Sequence, residues 1–159
     1  MKALSFRLPW AYYIIYGIPL LEKVDTGRGD GSYSVQPFGK LLLKDVENRP
    51  WEVPARFEFP QRIYIHVSKR DDPTQPVLDM CCKKIGLPFM SILMSFSGRL
   101  PRGALLGTIE LIACIRDSKS PWAVPGQYHF ILRDPQPFKE PIPCRGKLGF
   151  FEPDIEVSP

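Results

Sequence analysis

Proline sets the first limit on this chain: 18 of its 159 residues are proline, more than twice the usual share of about 5%. Each proline removes a backbone donor and breaks a helix interior. That density argues against a helical bundle and favours short strands joined by stiff turns. The length suits one domain, here spanning 1–159, with one real core. A hydrophobic fraction of 44% against 24% charged residues is that of a globular protein and excludes wholesale disorder. The net charge of +4 is compatible with a polyanionic partner but too small to diagnose one.

Four cysteines, Cys81, Cys82, Cys114 and Cys144, form no C-x-x-C pair, and His66 and His129 stand apart from them. Neither a disulfide framework nor zinc spacing is present, so reduced thiols with no metal or cofactor are expected. Lys2 and Arg7 followed by the apolar Leu8–Leu21 have the outline of a signal peptide. Pro9, Trp10 and three tyrosines interrupt that outline, no small-x-small site follows, and a bilayer span takes about 20 apolar residues. A cytoplasmic, monomeric protein without a membrane partner is the expectation.

Lys2–Phe6 reads as a first strand. Pro9 suits a helix start and Gly17 a helix stop, enclosing a short amphipathic helix over Trp10–Tyr16. Pro19–Leu43 carries a polar, glycine-rich centre, Thr26-Gly-Arg-Gly-Asp-Gly-Ser32, between leucine-rich ends, as a hairpin-like insertion or mobile loop would. Gln61–Ser68 alternates Ile63, Ile65 and Val67 against Arg62, Tyr64 and His66, the period of a half-buried strand. Residues 74–97 have helical spacing interrupted by Pro88. Gly103–Ile115, Tyr128–Leu132 and Lys147–Phe151 are further strands, with Gly107 marking a bulge or a close backbone approach. Five or more strands with two or three helices predict a barrel-like α+β fold.

An ordered set of motifs resembles the ASCH (activating signal cointegrator homology) family. Leu4-Ser-Phe-Arg-Leu-Pro-Trp-Ala11 is similar to its opening strand and helix start, and Lys44-Asp-Val-Glu47-Asn-Arg49 to its K-x-x-E-x-R run. Ile63-Tyr-Ile-His66-Val-Ser68-Lys69 resembles its His-x-Ser-Lys strand, and Leu100-Pro-Arg-Gly103-Ala-Leu-Leu-Gly107-Thr its Pro-x-Gly-x-x-x-Gly entry. Ser120-Pro-Trp122, Tyr128 and Ile142-Pro-Cys-Arg-Gly-Lys-Leu-Gly149 complete the order. The resemblance covers the chain outside 18–43 and part of 70–97. It implies a PUA-like mixed β-barrel, with the N-terminal helix over one opening, additional helices, and a cleft for RNA, a nucleotide or a modified base.

Within that frame Lys44, Glu47 and Arg49 are the leading candidates. An extended Lys44–Asp45 with a tightening at Val46–Glu47 would bring their heads together, two cations for a phosphate or oxyanion and a carboxylate for a base amino group or a water. As an isolated charged run, the same residues read as an exposed salt-bridged strand. Trp10, Trp51 and Tyr128 are candidates for stacking a base, or for core packing. Ser5, His66, Ser68 and Lys69 are candidates for the cleft wall, though a lone histidine is more often structural. Arg7, Arg99, Arg102, Arg145 and Lys147 are candidates for a phosphate rim, a solvated surface being the default.

The expected function is a binder of RNA, single-stranded nucleic acid or a modified nucleoside. The alternative is a hydrolase, either a nuclease or an amidohydrolase on acylated nucleosides, with Lys44 and Glu47 catalytic. In an amidohydrolase branch of ASCH-like proteins a lysine and a threonine carry the reaction. Lys44 matches that lysine, while Glu47 stands three residues on, in the threonine's place.

Overall fold

A computed structural model of the protein describes residues 1–71, 79–80, 83–84 and 101–155. The chain is mostly β. In order come β1 (Ala3–Leu8), α1 (Trp10–Ile15), β2 (Ile18–Asp25), β3 (Tyr33–Leu42), β4 (Val46–Arg49), β5 (Gln61–Asp71), β6 (Ala104–Ile115), β7 (Tyr128–Pro143) and β8 (Phe150–Phe151). Six strands form one sheet in the order β4-β7-β6-β5-β1-β8. It is mixed, because β1 and β5 run parallel and the other pairs antiparallel.

Alternation builds the core. Leu4, Phe6 and Leu8 of β1 and Ile63, Ile65 and Val67 of β5 point to one face, where they pack with Leu106, Ile109, Leu111, Phe130 and Leu132. Proline and glycine bound α1 as expected: Pro9 is its N-cap and Gly17, at φ 74°, takes the left-handed conformation that stops it. Ala11, Ile14 and Ile15 join the main core. Trp10 and Tyr13 face a second cluster with Ile18, Val46, Trp122 and Ala123. The sheet curls, and side chains span the gap between its ends: Arg49 of β4 donates to the Ser5 carbonyl of β1, and Trp51 lies edge-on to Phe150 of β8.

Residues 18–42 form a separate two-stranded ribbon, β2 against β3, with Ile18 opposite Leu42 at its base. Gly107 is a close backbone approach, since a Cβ there would lie 2.3 Å from the Gln136 carbonyl oxygen. The helical segment expected at 74–97 lies outside the described residues apart from 79–80 and 83–84, which are helical. Cys81, Cys82 and Arg99 lie outside them too.

Two strand expectations need correction. The strand expected at Tyr128–Leu132 runs on to Pro143. β4 pairs with β7 only over 128–131, so the prolines at 135, 137, 141 and 143 fall where β7 has one open edge. An edge strand tolerates a residue that donates no ladder bond. Conversely, the strand expected at Lys147–Phe151 shrinks to Phe150–Phe151, because residues 144–147 leave the ladder and lie across the outer face of β1 and β5. Among the described residues no helix is long and apolar enough to cross a membrane.

Candidate functional site

The strand β4 places two of the three leading candidates. Glu47 and Arg49 are two apart, so they share a face, opposite Phe130 and Tyr128 of β7. Lys44 arrives differently from the expectation. The strand begins only at Val46, and Lys44 sits in the connection before it, held by its N–H donating to the Tyr13 carbonyl at the end of α1. No tightening at Val46–Glu47 is needed.

The three heads form one chain of contacts. Lys44 Nζ donates to Glu47 Oε2 at 3.0 Å and to the Val46 carbonyl. Arg49 Nη2 lies 3.0 Å from Glu47 Oε1 and donates to the Ser5 carbonyl at 2.6 Å. Lys44 and Glu47 are 3% and 7% exposed, which removes the reading of a solvated surface pair. The ammonium lies 5.4 Å from the centre of the Trp10 ring. The guanidinium lies 5.5 Å from Phe6 and 5.8 Å from Trp51, within reach of cation–π attraction. Arg49 is the end that meets solvent, while its Nε is itself buried and has no hydrogen-bond partner among the described residues. Phe6, the backbone acceptors and the bond that Asn48 Nδ2 of β4 donates to the Trp122 carbonyl are parts that sequence reasoning missed. Phe6 carried only a core signal.

The remaining candidates divide. Trp51 is half-buried between Arg49, Phe130 and Phe150. Tyr128 shares the Arg49 face, with Arg116 4.6 Å from its ring centre. Trp10 is buried in the second cluster, its ring edge-on to Tyr13, so its place is that of a packing residue beside Lys44. Ser5 and His66 are cross-strand partners on the opposite face of β1 and β5 from the core. Ser5 meets the Lys44–Glu47–Arg49 chain only through its carbonyl. Ser68 bonds locally to Arg70, and Lys69 is exposed near Gly103.

His66 is a fastening point. Its Nε2 lies 3.0 Å from the Cys144 carbonyl, which can only accept, so Nε2 carries the proton and Nδ1 accepts from the Ser5 hydroxyl 3.0 Å away. Gly146 lies directly over it, where a Cβ would come 2.3 Å from His66 Cε1. Burial pushes the His66 pKa down, so the unfolded chain takes up its proton first as pH falls. The stabilisation is complete above about pH 6.5, the unperturbed histidine value, and is lost from there towards the lower folded value. Melting temperature should therefore fall more steeply from pH 7 to 5 in the wild type than in His66→Gln. Parallel pH profiles would remove this role from His66.

Burial pushes the Cys114 and Cys144 thiols up, which suits unreactive thiols rather than nucleophiles. Among the described residues no group of three or more His, Cys, Asp or Glu side chains could hold a metal ion. Compared with known proteins, the chain matches no protein-family model, and a search of the curated proteins finds no match.

Proposed function

We propose that the chain is an ASCH-type module on a PUA-like barrel, and that it binds single-stranded RNA or a nucleotide at Lys44, Glu47 and Arg49. One observation carries this reading: two cations share one carboxylate in a largely buried site. Two positive charges against one negative leave one positive charge without a counter-ion, a demand that a phosphate meets through charge-assisted bonds. Arg49 has the partly exposed guanidinium to meet it, and the half-buried Trp51 and Tyr128 flank it as surfaces for a base. A binder is preferred to a hydrolase because Lys44 already donates to Glu47 and to the Val46 carbonyl. An amine head so engaged is not turned toward a substrate.

Fluorescence titration of a labelled oligouridylate at two salt concentrations tests the reading. Affinity should fall with salt by about 0.7 log units per log unit of salt for each neutralised phosphate. Arg49→Leu should weaken binding at least about tenfold, the scale of losing one charged hydrogen bond. An unchanged affinity in Arg49→Leu, or no binding at low salt, would end it.

A further inference from the structure

The segment Cys144–Leu148 crosses the outer face of β1 and β5 and is pinned there by two bonds. The Cys144 N–H donates to the Gly103 carbonyl at 2.9 Å and the Cys144 carbonyl accepts from His66 Nε2 at 3.0 Å; the Lys147 carbonyl rests in contact with Ser5 Oγ at 3.2 Å. Gly146 seats this segment against His66, a fit that a side chain would prevent. All of these bonds use backbone groups of the segment itself. The charged ends of Arg145 and Lys147 stay exposed, as does the whole of Leu148.

The same end of the sheet gathers further exposed cations. A Cβ at Gly103 would lie 3.0 Å from the Lys69 side chain, and Arg102 Nη1 donates to the Lys69 carbonyl at 3.4 Å. Arg70 follows Lys69, and Arg7 lies two residues beyond Ser5 on the same face of β1. Arg7, Lys69, Arg70, Arg102, Arg145 and Lys147 are all exposed. Asp154, beside Cys144, borders the patch, and Asp71 and Asp72 follow Arg70 in the sequence.

From this arrangement we infer that the outer face is a backbone track for single-stranded RNA, continuing from the Arg49 site. The inference rests on the proposed function above. Ser5 is the junction: its carbonyl accepts from Arg49 while its hydroxyl lies 3.2 Å from the Lys147 carbonyl on the outer face, so a strand seated at Arg49 passes round β1, which β8 pairs only at Ala3 and Leu4, to reach the Lys147 segment. Phosphates then meet Lys147, Arg145 and Lys69 in turn, and Leu148 offers apolar contact to a base. Pinning the segment to Gly103 and His66 fixes its cations before the strand arrives, which lowers the ordering cost of binding.

The test compares a labelled 12-mer oligouridylate with uridine monophosphate on the full chain, in the wild type, in Arg49→Leu, and in the triple variant Lys69→Gln/Arg145→Gln/Lys147→Gln. The track predicts that the triple variant loses tenfold or more for the 12-mer, with a salt slope shallower by about 2, since each lost phosphate contact removes about 0.7. Its mononucleotide affinity should be unchanged. Arg49→Leu should weaken both ligands. If the triple variant binds the 12-mer as the wild type does, the track is wrong while the Arg49 site stands. If the 12-mer depends on the patch but neither ligand responds to Arg49→Leu, the Arg49 site is wrong and the patch stands as a separate RNA surface. If vesicles of anionic lipid compete with the 12-mer at equal charge concentration, the patch is a membrane-facing surface and the track falls.

Discussion

Glu47→Gln should be the most damaging single charge change in the protein, with a loss of about 3–5 kcal/mol, the cost of breaking a buried ion pair by removing one partner. Glu47 is the carboxylate shared by Lys44 and Arg49. Without its charge, two cations face each other across a site shielded by Trp10, Phe6 and Trp51. The damage should therefore be relieved by removing a cation as well. Glu47→Gln/Lys44→Met should recover a large part of the loss, because methionine fills the Lys44 position without a charge. Urea denaturation of the four chains of this cycle measures the coupling. A loss near 0–1 kcal/mol in the single variant would match an exposed pair, and the site would then lack the buried positive charge on which the proposed function rests.

Trp122→Ala should be comparable, at about 3–5 kcal/mol for deleting a buried aromatic side chain, which lowers the melting temperature by on the order of 10 °C. Trp122 is 1% exposed and joins Trp10, Tyr13, Ile18 and Val46 in the cluster behind Lys44. Its Nε1 has no hydrogen-bond partner among the described residues. Trp122→Phe should therefore lose only volume and contact, and cost much less than the alanine change. The surrounding loop has its own ties, since Asn48 Nδ2 donates to the Trp122 carbonyl and Asn48 Oδ1 accepts from the Val124 N–H. Local refolding should not mask the effect. Equal losses for alanine and phenylalanine, seen by calorimetry, would point to a hydrogen bond at Nε1 rather than to packing.

What the sequence by itself determined is local. The alternation of Ile63, Ile65 and Val67 marked β5 and its inward face. Pro9 and Gly17 bounded α1, because one residue lacks an N–H and the other accepts a positive φ. Each of these follows from backbone geometry within a few residues. Tertiary structure decided the rest. Lys44 reaches Glu47 from outside the strand because the end of α1 holds its backbone. Ser5 and His66, grouped by motif with the charged site, face away from it because β1 pairs in register with β5 and their side chains oppose the core. Lys147–Gly149, expected in one strand with Phe150 and Phe151, stay outside the ladder, since the segment that begins at Cys144 is held on the outer face by His66. These placements depend on partners 61 to 142 residues away, and no local period in the sequence encodes which partner that is.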